Sequence, residues 1–438
     1  MDRNNIIFRL QIITLLDSIC YGLIYIFLAP YLLVLGGNAI TIGIFGSVTM
    51  VFQVMSILIV KEMLQQSGLK ETLVDMFIIA AITHTMLFVT KSPCGAIMIR
   101  CLFASVNQTT NVIKEIFVKY LPQDRREYHM NIYNTLYSAG FVIGPILSGA
   151  LFEISFTYSC LLAAILTIVN IWLIVTIPIE EDIVSTPVDV SMVKKIRQTV
   201  EHRLTEFRQP ITKENWDILA VQFLFTANVI FVTTKFAPVT SHNYQHSHSD
   251  LGVICAYMNI LIFVALHFSP AIMEKLDRHS PATVVKAMFG VILVSAVLSF
   301  FSPYILLFCA MYVPLTFARI VLNESWKAVH HERGGSRLDG ICESVNFASG
   351  FAVPLAFGVG EFYFGHLVTI YSTIVSLVLA MLVVQFVTIS KSQSGRSSSA
   401  GHDSSVPKES CPACYDTCGN PCCQPLSFCP KTKENKSC

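Results

Sequence analysis

Residues 140–149 read Gly140-Phe-Val-Ile-Gly144-Pro145-Ile-Leu-Ser148-Gly149 and lie inside an apolar stretch from 130 to 153. In an α-helix, residues four apart lie one above another, so Gly140, Gly144 and Ser148 share one face. Small residues on one face let a neighbouring helix backbone approach closely within a membrane. Proline is tolerated in such a helix because neighbouring groups satisfy the carbonyl that it frees. This stretch therefore predicts a membrane helix with one closely packed face.

The composition of the whole chain supports a membrane protein. Only 13% of the 438 residues are charged, against about 25% in an ordinary soluble domain, and 53% are hydrophobic. Mean hydropathy is +0.59. These values exclude a disordered chain, a collagen and a small disulfide-stapled secreted module. The net charge of +1 gives no basic field for nucleic acid. We therefore expect a polytopic protein that exposes apolar side chains to the lipid bilayer.

Apolar stretches of about 20 residues, the length that crosses a bilayer, divide the chain into two sets of six spans. The predicted spans, numbered 1 to 12, are 9–35, 41–60, 72–90, 95–119, 130–153, 157–178, 216–239, 250–272, 283–301, 304–328, 339–361 and 367–389. The fold class is all-α, with twelve transmembrane helices in two six-helix bundles around a central cavity. The predicted domains are a bundle at 1–178, a cytoplasmic linker at 179–214, a bundle at 215–389 and a tail at 390–438.

Lysine and arginine predict the orientation. With the N-terminus inside, 26 of the 30 fall in the termini, the central linker and the loops of one side, counted together with the span ends that flank them. By the positive-inside rule, both termini are expected in the cytoplasm. The sequence does not distinguish the plasma membrane from an organelle membrane.

The two halves show an internal repeat at an offset near 209 residues. Ala29-Pro30 corresponds to Ala237-Pro238, and Ile42-Gly43-Ile44 corresponds to Leu251-Gly252-Val253. Ser138-Ala139-Gly140-Phe141 corresponds to Ala348-Ser349-Gly350-Phe351. Six spans per half is an even number, so both halves run in the same direction. A parallel repeat about an axis along the membrane normal is a known transporter architecture.

Span 5 resembles the G-x-x-x-G-P-x-x-x-G antiporter motif of the major facilitator superfamily, with its glycines at Gly140, Gly144 and Gly149 and its proline at Pro145. The first two spans are similar to the proton-coupled drug antiporter branch, which includes tetracycline-efflux proteins and eukaryotic orphan carriers. The residues that carry this likeness are Leu16-Asp17, Gly22, Pro30, Leu35-Gly36-Gly37 and Ile42-Gly43. Arg100 stands where that branch has a membrane-embedded arginine. The resemblance implies proton-coupled antiport, with Gly144 at the interface between halves.

The loop between spans 2 and 3 departs from the superfamily pattern. That loop usually reads G-x-x-x-D-R-x-G-R, and here Gly68 and Lys70 remain while Gln65 stands at the aspartate position. The loop between spans 8 and 9 keeps Asp277-Arg278. The resemblance therefore implies either a modified gate or a chain that has lost transport.

Polar residues inside the spans are candidates for a transport site, because a charge at the centre of a membrane helix costs about 2.5–3.5 kcal/mol. In the first half, Asp17 is either a carboxylate that carries the coupled proton or a structural ion-pair partner of Arg100. Gln53, Asn107 and Gln108 line a polar cavity or bond one helix to another.

The second half offers a different set of polar residues. Arg319 and Asn323 are four apart and share a face, so they are candidates for the cavity wall. Alternatively, Arg319 pairs with Glu324 near the cytoplasmic end. Asn346 in span 11 is a further candidate.

The loops and the tail carry weaker signals. A 3,4,4,3 spacing of apolar residues at 193–207 predicts an amphipathic helix in the linker, on the inner leaflet or between the halves. His242, His246 and His248 suit a metal site or an ordinary solvated loop, and the loop is the better reading. The Cys-rich tail is a candidate for palmitoylation, with a zinc site as the alternative.

The sequence contains no P-loop, H-E-x-x-H or G-x-S-x-G motif, so we expect no enzyme activity, cofactor or resident metal. The favoured function is a secondary transporter of small organic solutes, coupled to protons by antiport and working by alternating access. The alternatives are a non-transporting sensor or scaffold with a carrier fold, and a uniporter in which Asp17 is structural.

Overall fold

A computed structural model describes residues 3–121, 125–178, 214–244, 247–365 and 367–386, and the regular structure within these ranges is helical. The helices are α1 (Arg3–Tyr25), α2 (Leu28–Val34), α3 (Ala39–Val89), α4 (Pro93–Ala104), α5 (Thr109–Tyr120), α6 (Arg126–Phe152), α7 (Phe156–Val175), α8 (Trp216–Tyr244), α9 (His248–Leu276), α10 (Pro281–Phe300), α11 (Ile305–Phe364) and α12 (Leu367–Val384). We call α1–α7 the first half and α8–α12 the second half. The predicted linker helix and the tail lie outside the described residues.

Eight helical segments are long and apolar enough to cross a membrane within the described ranges. They are Arg3–Val34, Ala39–Val89, Arg126–Phe152, Phe156–Val175, His248–Leu276, Pro281–Phe300, Ile305–Gly335 and Arg337–Phe364. Two shorter apolar helices are Trp216–Ile230 and Ile370–Val384. The chain is therefore an all-helical, multi-pass membrane protein by length and composition.

Two of the predicted loops are reduced to single glycines. Helix α3 has 51 residues, and its regular geometry is interrupted at Gly68, where φ is +81°. Helix α11 has 60 residues and is interrupted at Gly335, where φ is +59°. Glycine adopts a positive φ without the steric cost that a Cβ atom would add. The expected loops near 61–71 and 329–338 are therefore helix ends joined at one residue.

The predicted fourth span is discontinuous, unlike the single helix expected at 95–119. Helix α4 ends at Ala104 and α5 begins at Thr109. Residues 105–111 read Ser-Val-Asn-Gln-Thr-Thr-Asn. Short polar side chains compete with the backbone for hydrogen bonds, and the hydroxyl of Ser105 donates to the carbonyl of Leu102 at 2.7 Å. This break is central to the site described below.

The two halves meet at two glycine-lined seams. At the seam between α3 and α11, a methyl group placed on Gly43 would lie 2.7 Å from the carbonyl oxygen of Pro354 and 3.0 Å from the Cα of Gly358. At the seam between α6 and α9, a methyl group placed on Gly252 would lie 2.5 Å from the carbonyl oxygen of Pro145. No side chain fits at either place, so backbone packs directly against backbone.

The two seams are copies of one another. Gly43, Pro354 and Gly358 at the first seam correspond to Gly252, Pro145 and Gly149 at the second, and each pair of equivalents differs by 209 in number. The repeat seen in the sequence is thus also a repeat of tertiary contacts. Both seams lie near the first residues of α3 and α9, at the end of the bundle opposite to Arg3. We call this the sealed end.

Candidate functional site

A polar cluster in the first half is built around Asp17. This side chain lies in the middle of α1, is partly exposed, and accepts a hydrogen bond of 2.8 Å from the hydroxyl of Thr109. Thr109 is the first residue of α5, immediately after the break in the fourth span. The N-terminal end of a helix carries a partial positive charge, which favours a carboxylate nearby. The break therefore places a hydroxyl donor and a helix terminus beside Asp17.

The cluster continues from α5 to α3 through amide and hydroxyl groups. The amide of Gln108 donates to the hydroxyl of Ser56 at 2.8 Å, and Ser56 donates to the carbonyl of Gln53 at 2.6 Å. Asn111 donates to the side-chain oxygen of Gln108 at 2.6 Å. The structure thus joins Gln108 and the backbone of Gln53 in one network beside Asp17.

Sequence reasoning missed Thr109, Ser56 and Asn111 in this network. The signal was present for two of them, because residues 107–111 read Asn-Gln-Thr-Thr-Asn and are five consecutive polar residues within an apolar span. Such a run indicates an interrupted helix. Asn107 lies in the break with a partly exposed side chain.

Arg100 is buried in α4 and lies among aromatic rings. Its side chain is 3% exposed, and its guanidinium carbon lies 4.8 Å from the ring centre of Phe103, 5.6 Å from Tyr21 and 5.8 Å from Tyr25. Within the part of the chain that the structure describes, it forms no ion pair with Asp17. Arg100 and Asp17 therefore do not form the ion pair between spans 1 and 4 that the sequence analysis considered.

The second half has a neutral polar cluster around Asn346. The side-chain oxygen of Asn346 in α11 accepts hydrogen bonds from Gln222 and Thr226 of α8, each at 2.6 Å. The indole of Trp326 donates to the other end of Gln222 at 2.7 Å. Of these residues the sequence analysis named only Asn346. Gln222 and Thr226 lie one turn apart in an otherwise apolar stretch, and this spacing is the signal that could have indicated them.

The remaining second-half candidates lie apart from this cluster. Arg319 is partly buried in α11, and Asn323, one turn further, is exposed. Glu324 forms an ion pair with Lys327 at 3.4 Å. This partner differs from Arg319, the partner considered from the sequence.

The predicted gate residues have structural roles. The ammonium group of Lys70 donates to the carbonyls of Ile177 at 2.7 Å and Val175 at 3.2 Å, and so satisfies carbonyls at the end of α7 that have no partner within the helix. Asp277 caps the end of α9, and the adjacent Arg278 is exposed. Gly68 provides the turn within α3.

The glycine motif of α6 has two contact faces. A methyl group on Gly144 would lie 2.8 Å from the Cα of Gly22, Gly140 contacts Ser18, and the hydroxyl of Ser148 donates to the carbonyl of Leu23 at 2.6 Å. This face packs on α1 in the same half. The expectation that Gly144 lies between the halves is therefore corrected.

The second face of α6 makes the contact with the other half. Gly149 and the carbonyl of Pro145 pack against α9. Nearby, Glu153 accepts a hydrogen bond of 2.9 Å from the backbone N–H of Ser249, and the ring of Phe152 lies 4.0 Å from that of His248. No group of three or more histidine, cysteine or acidic side chains that could hold a metal occurs among the described residues.

Residues 10–332 match the Major Facilitator Superfamily. The chain belongs to this superfamily. Its members are transporters rather than enzymes, and the prediction of no enzyme activity is confirmed. The match is to the superfamily as a whole, so the resemblance to the drug antiporter branch stays a prediction. A comparison with curated protein sequences gave no match.

Solved structures of transporters share the fold. The nucleoside transporter NupG is 15% identical, with a TM-score of 0.68 over 87% of this chain and 98% of that one. A bacterial homolog of the human lysosomal transporter Spinster is 15% identical, with a TM-score of 0.66 over 88% and 96%. The human organic anion transporter MFSD10 (TETRAN) is 15% identical, with a TM-score of 0.55 over 88% and 100%. These matches confirm the all-helical, multi-pass membrane fold.

Proposed function

We propose that this protein is a secondary transporter of small organic solutes, that it works by alternating access, and that Asp17 carries a coupled proton. The superfamily and its fold support transport. The proposed role of Asp17 as the proton carrier is supported by its hydrogen bond with Thr109 at the break between α4 and α5. The antiporter motif of α6 favours antiport, in which the proton and the solute cross in opposite directions.

Twelve spans with both termini in the cytoplasm are part of this proposal. A helix of 51 residues is about 75 Å long at 1.5 Å per residue, more than twice the roughly 30 Å of a bilayer core. The glycine turns in α3 and α11 therefore divide each into two spans. Epitope tags near Ser185 and Ser398 should both become accessible only after permeabilisation. Opposite accessibility of the two tags would contradict the arrangement.

Alternating access is supported by the seams at the sealed end. Backbone contacts between the halves run through glycines and prolines at two repeated positions. Two repeated contacts of this kind suit a rocking motion of the halves around a central site, as in parallel-repeat transporters. The polar clusters around Asp17 and Asn346 lie on the helices that would flank such a site.

The Asp17 carboxylate is suited to binding and releasing a proton. It has a hydroxyl donor in Thr109 but, within the described chain, no ion pair with Arg100. A carboxylate fixed by a buried arginine would resist protonation, because neutralising it would leave an unpaired buried charge. An intramembrane carboxylate without such a pair is by default a functional candidate.

The test uses the purified chain in lipid vesicles loaded with a pH-sensitive dye. A panel of amphipathic solutes is added outside, and solute-induced proton movement is recorded at matched protein density. Asp17→Asn should abolish this movement while leaving solute-for-solute exchange, because asparagine preserves volume and hydrogen bonding but cannot change charge. Thr226→Val, at the equivalent position of the second half, should retain proton movement within about threefold, as expected for loss of a neutral hydrogen bond. Proton movement at the wild-type rate in Asp17→Asn would exclude Asp17 as the coupling group.

The same variants separate the proposal from the structural alternative. If Asp17 neutralised Arg100, Asp17→Asn would lower the yield of folded protein, and adding Arg100→Gln would restore it. Since the two side chains are not paired, we expect Asp17→Asn to fold normally. Rescue of a folding defect by Arg100→Gln would overturn this expectation.

A further inference from the structure

Arg100 is a buried cation for which the described chain supplies no anion. Its side chain is 3% exposed, and its Nε makes no hydrogen bond to any described group. Asp17, the ion-pair partner that the sequence suggested for Arg100, accepts a hydrogen bond from Thr109 instead. An uncompensated buried charge is strongly unfavourable in a protein interior. The arrangement therefore calls for a negative charge that the described residues do not supply.

The aromatic rings around Arg100 compensate only part of this cost. Phe103, Tyr21 and Tyr25 have ring centres 4.8–5.8 Å from the guanidinium carbon. Cation–π contacts are attractive at such distances, but they are weaker than the pairing of a buried charge with an anion. Arginine is also the residue best suited to bind a carboxylate, because its planar fork can donate two parallel hydrogen bonds.

A row of aromatic rings extends from this cation across α1 and α6. Tyr25 stacks on Tyr21 with their ring centres 5.1 Å apart. The ring centres of Tyr21 and Phe141 lie 5.4 Å apart, and those of Phe141 and Tyr137 lie 5.0 Å apart. Tyr21, Tyr25 and Phe141 are each partly exposed, unlike Arg100 behind them. Exposed ring surfaces of this kind bind planar apolar groups by stacking. We call Arg100, Phe103, Tyr21, Tyr25 and Phe141 the arginine–aromatic cluster.

We propose that the arginine–aromatic cluster recognises an organic anion with a planar aromatic body, whose carboxylate or similar anionic group pairs with Arg100. This rests on the proposed transport function and specifies its substrate class. Asp17 lies one helical turn from Tyr21, about 6 Å along the axis, so the anion and the proton occupy separate positions.

The proximity of these positions has a consequence for coupling. An ionised Asp17 repels a bound anion, so anion binding and protonation of Asp17 favour one another.

The binding test uses the full chain purified in detergent. Unfolding is followed by the labelling of cysteines that are buried in the folded protein, such as Cys20, Cys160 and Cys255. The probes are 2-naphthoate and its neutral analogue 2-naphthamide. We expect 2-naphthoate to raise the unfolding midpoint by several degrees and 2-naphthamide to leave it nearly unchanged, since a ligand stabilises the state that binds it.

Two arginine variants make the test specific. Arg100→Gln should lose the shift caused by 2-naphthoate, whereas Arg126→Gln, which removes an exposed arginine at the start of α6, should keep it. Asp17→Asn should show a shift at least as large as the wild type, because a repelling charge is gone. This last result would stand even if Asp17 proved not to carry the proton.

Several outcomes of this test would contradict the proposed binding of an organic anion at Arg100. The proposal is overturned if 2-naphthoate leaves the wild-type midpoint unchanged, if 2-naphthamide shifts it equally, or if the shift persists in Arg100→Gln. Without probe, Arg100→Gln should unfold no earlier than the wild type, because it removes an uncompensated charge. If that variant fails to fold, Arg100→Lys replaces it and should keep a smaller preference for 2-naphthoate over 2-naphthamide. Loss of that preference would also overturn the proposal.

Discussion

The polar clusters of the two halves occupy equivalent positions and have different chemistry. Asp17 in α1 and Thr226 in α8 differ by 209 in number, the offset that relates the two seams. Asp17 is a carboxylate beside a broken helix, whereas Thr226 belongs to a neutral network with Asn346 and Gln222. The comparison indicates that the repeat keeps polar clusters at equivalent positions, and that Asp17 makes only the cluster of the first half ionisable.

The helix contacts next to these clusters differ in the same way. In the first half, α1 and α6 approach through Gly22 and Gly144. The position in α11 equivalent to Gly144 is Val353, which packs in an apolar cluster with Ala227 and Ile230 of α8. The first half therefore depends on backbone contact at this crossing, and the second half depends on side-chain contact.

The largest expected effect is that of Gly144→Leu. The added side chain has no room, because its first carbon already lies 2.8 Å from Gly22. Overpacking typically costs about 1–3 kcal/mol, and a leucine here should reach the upper end of that range. We expect loss of transport and a lower unfolding midpoint. Gly290→Leu is the matched control, since nothing lies within 4 Å of that glycine, and Val353→Leu should also be mild. Normal transport by Gly144→Leu would show that α1 and α6 need not approach closely.

The second prediction compares two hydroxyl deletions of the same size. Thr109→Val removes a donor to a carboxylate, and such charge-assisted hydrogen bonds contribute about 1.5–3 kcal/mol. Thr226→Val removes a donor to a neutral amide that keeps Gln222 as a second donor. Proton-coupled transport should fall about tenfold or more in Thr109→Val and by no more than about threefold in Thr226→Val. Equal losses of transport in the two variants would mean that both clusters contribute equally to proton-coupled transport.

The third prediction concerns the seams, where the halves should behave alike. Gly43→Ala and Gly252→Ala each place a methyl group within 2.7 Å of a proline carbonyl, at an expected cost of about 1–3 kcal/mol. Both should destabilise the sealed end by similar amounts. The measurement is the rate at which a cysteine placed beside each seam reacts with a membrane-impermeant reagent, with Gly290→Ala as control. A large effect at only one seam would contradict their equivalence.

The smallest effects are expected for two interhelical hydroxyls. Ser148 donates to the carbonyl of Leu23 at 2.6 Å, and Ser349 donates to the carbonyl of Phe223 at 3.2 Å. Hydrogen bonds between membrane helices average about 0.6 kcal/mol. Ser148→Ala should lower the unfolding midpoint slightly more than Ser349→Ala, because its bond is shorter. A larger effect of Ser349→Ala would show that the two crossings are not organised as described.

The sequence by itself determined the membrane class, the helical fold and the repeat. An apolar stretch that crosses a bilayer must form its backbone hydrogen bonds within the segment, and a helix does so. Small residues such as Gly43 and Gly144 indicate close contacts between helices. The same reasoning pointed to Asp17, Gln108 and Asn346, because polar groups are costly within a bilayer and stand out against an apolar background.

Only the tertiary structure decided which partners these residues have. Nothing in the spacing of Asp17, Arg100 and Thr109 shows that the carboxylate binds the hydroxyl rather than the arginine, because contacts between helices depend on the rotation and depth of each one. The break at 105–108 and the direction of Gly144 toward α1 are set in the same way, by packing between segments distant in sequence. The sequence thus specified which residues are unusual, and the packing of the helices decided which of them meet.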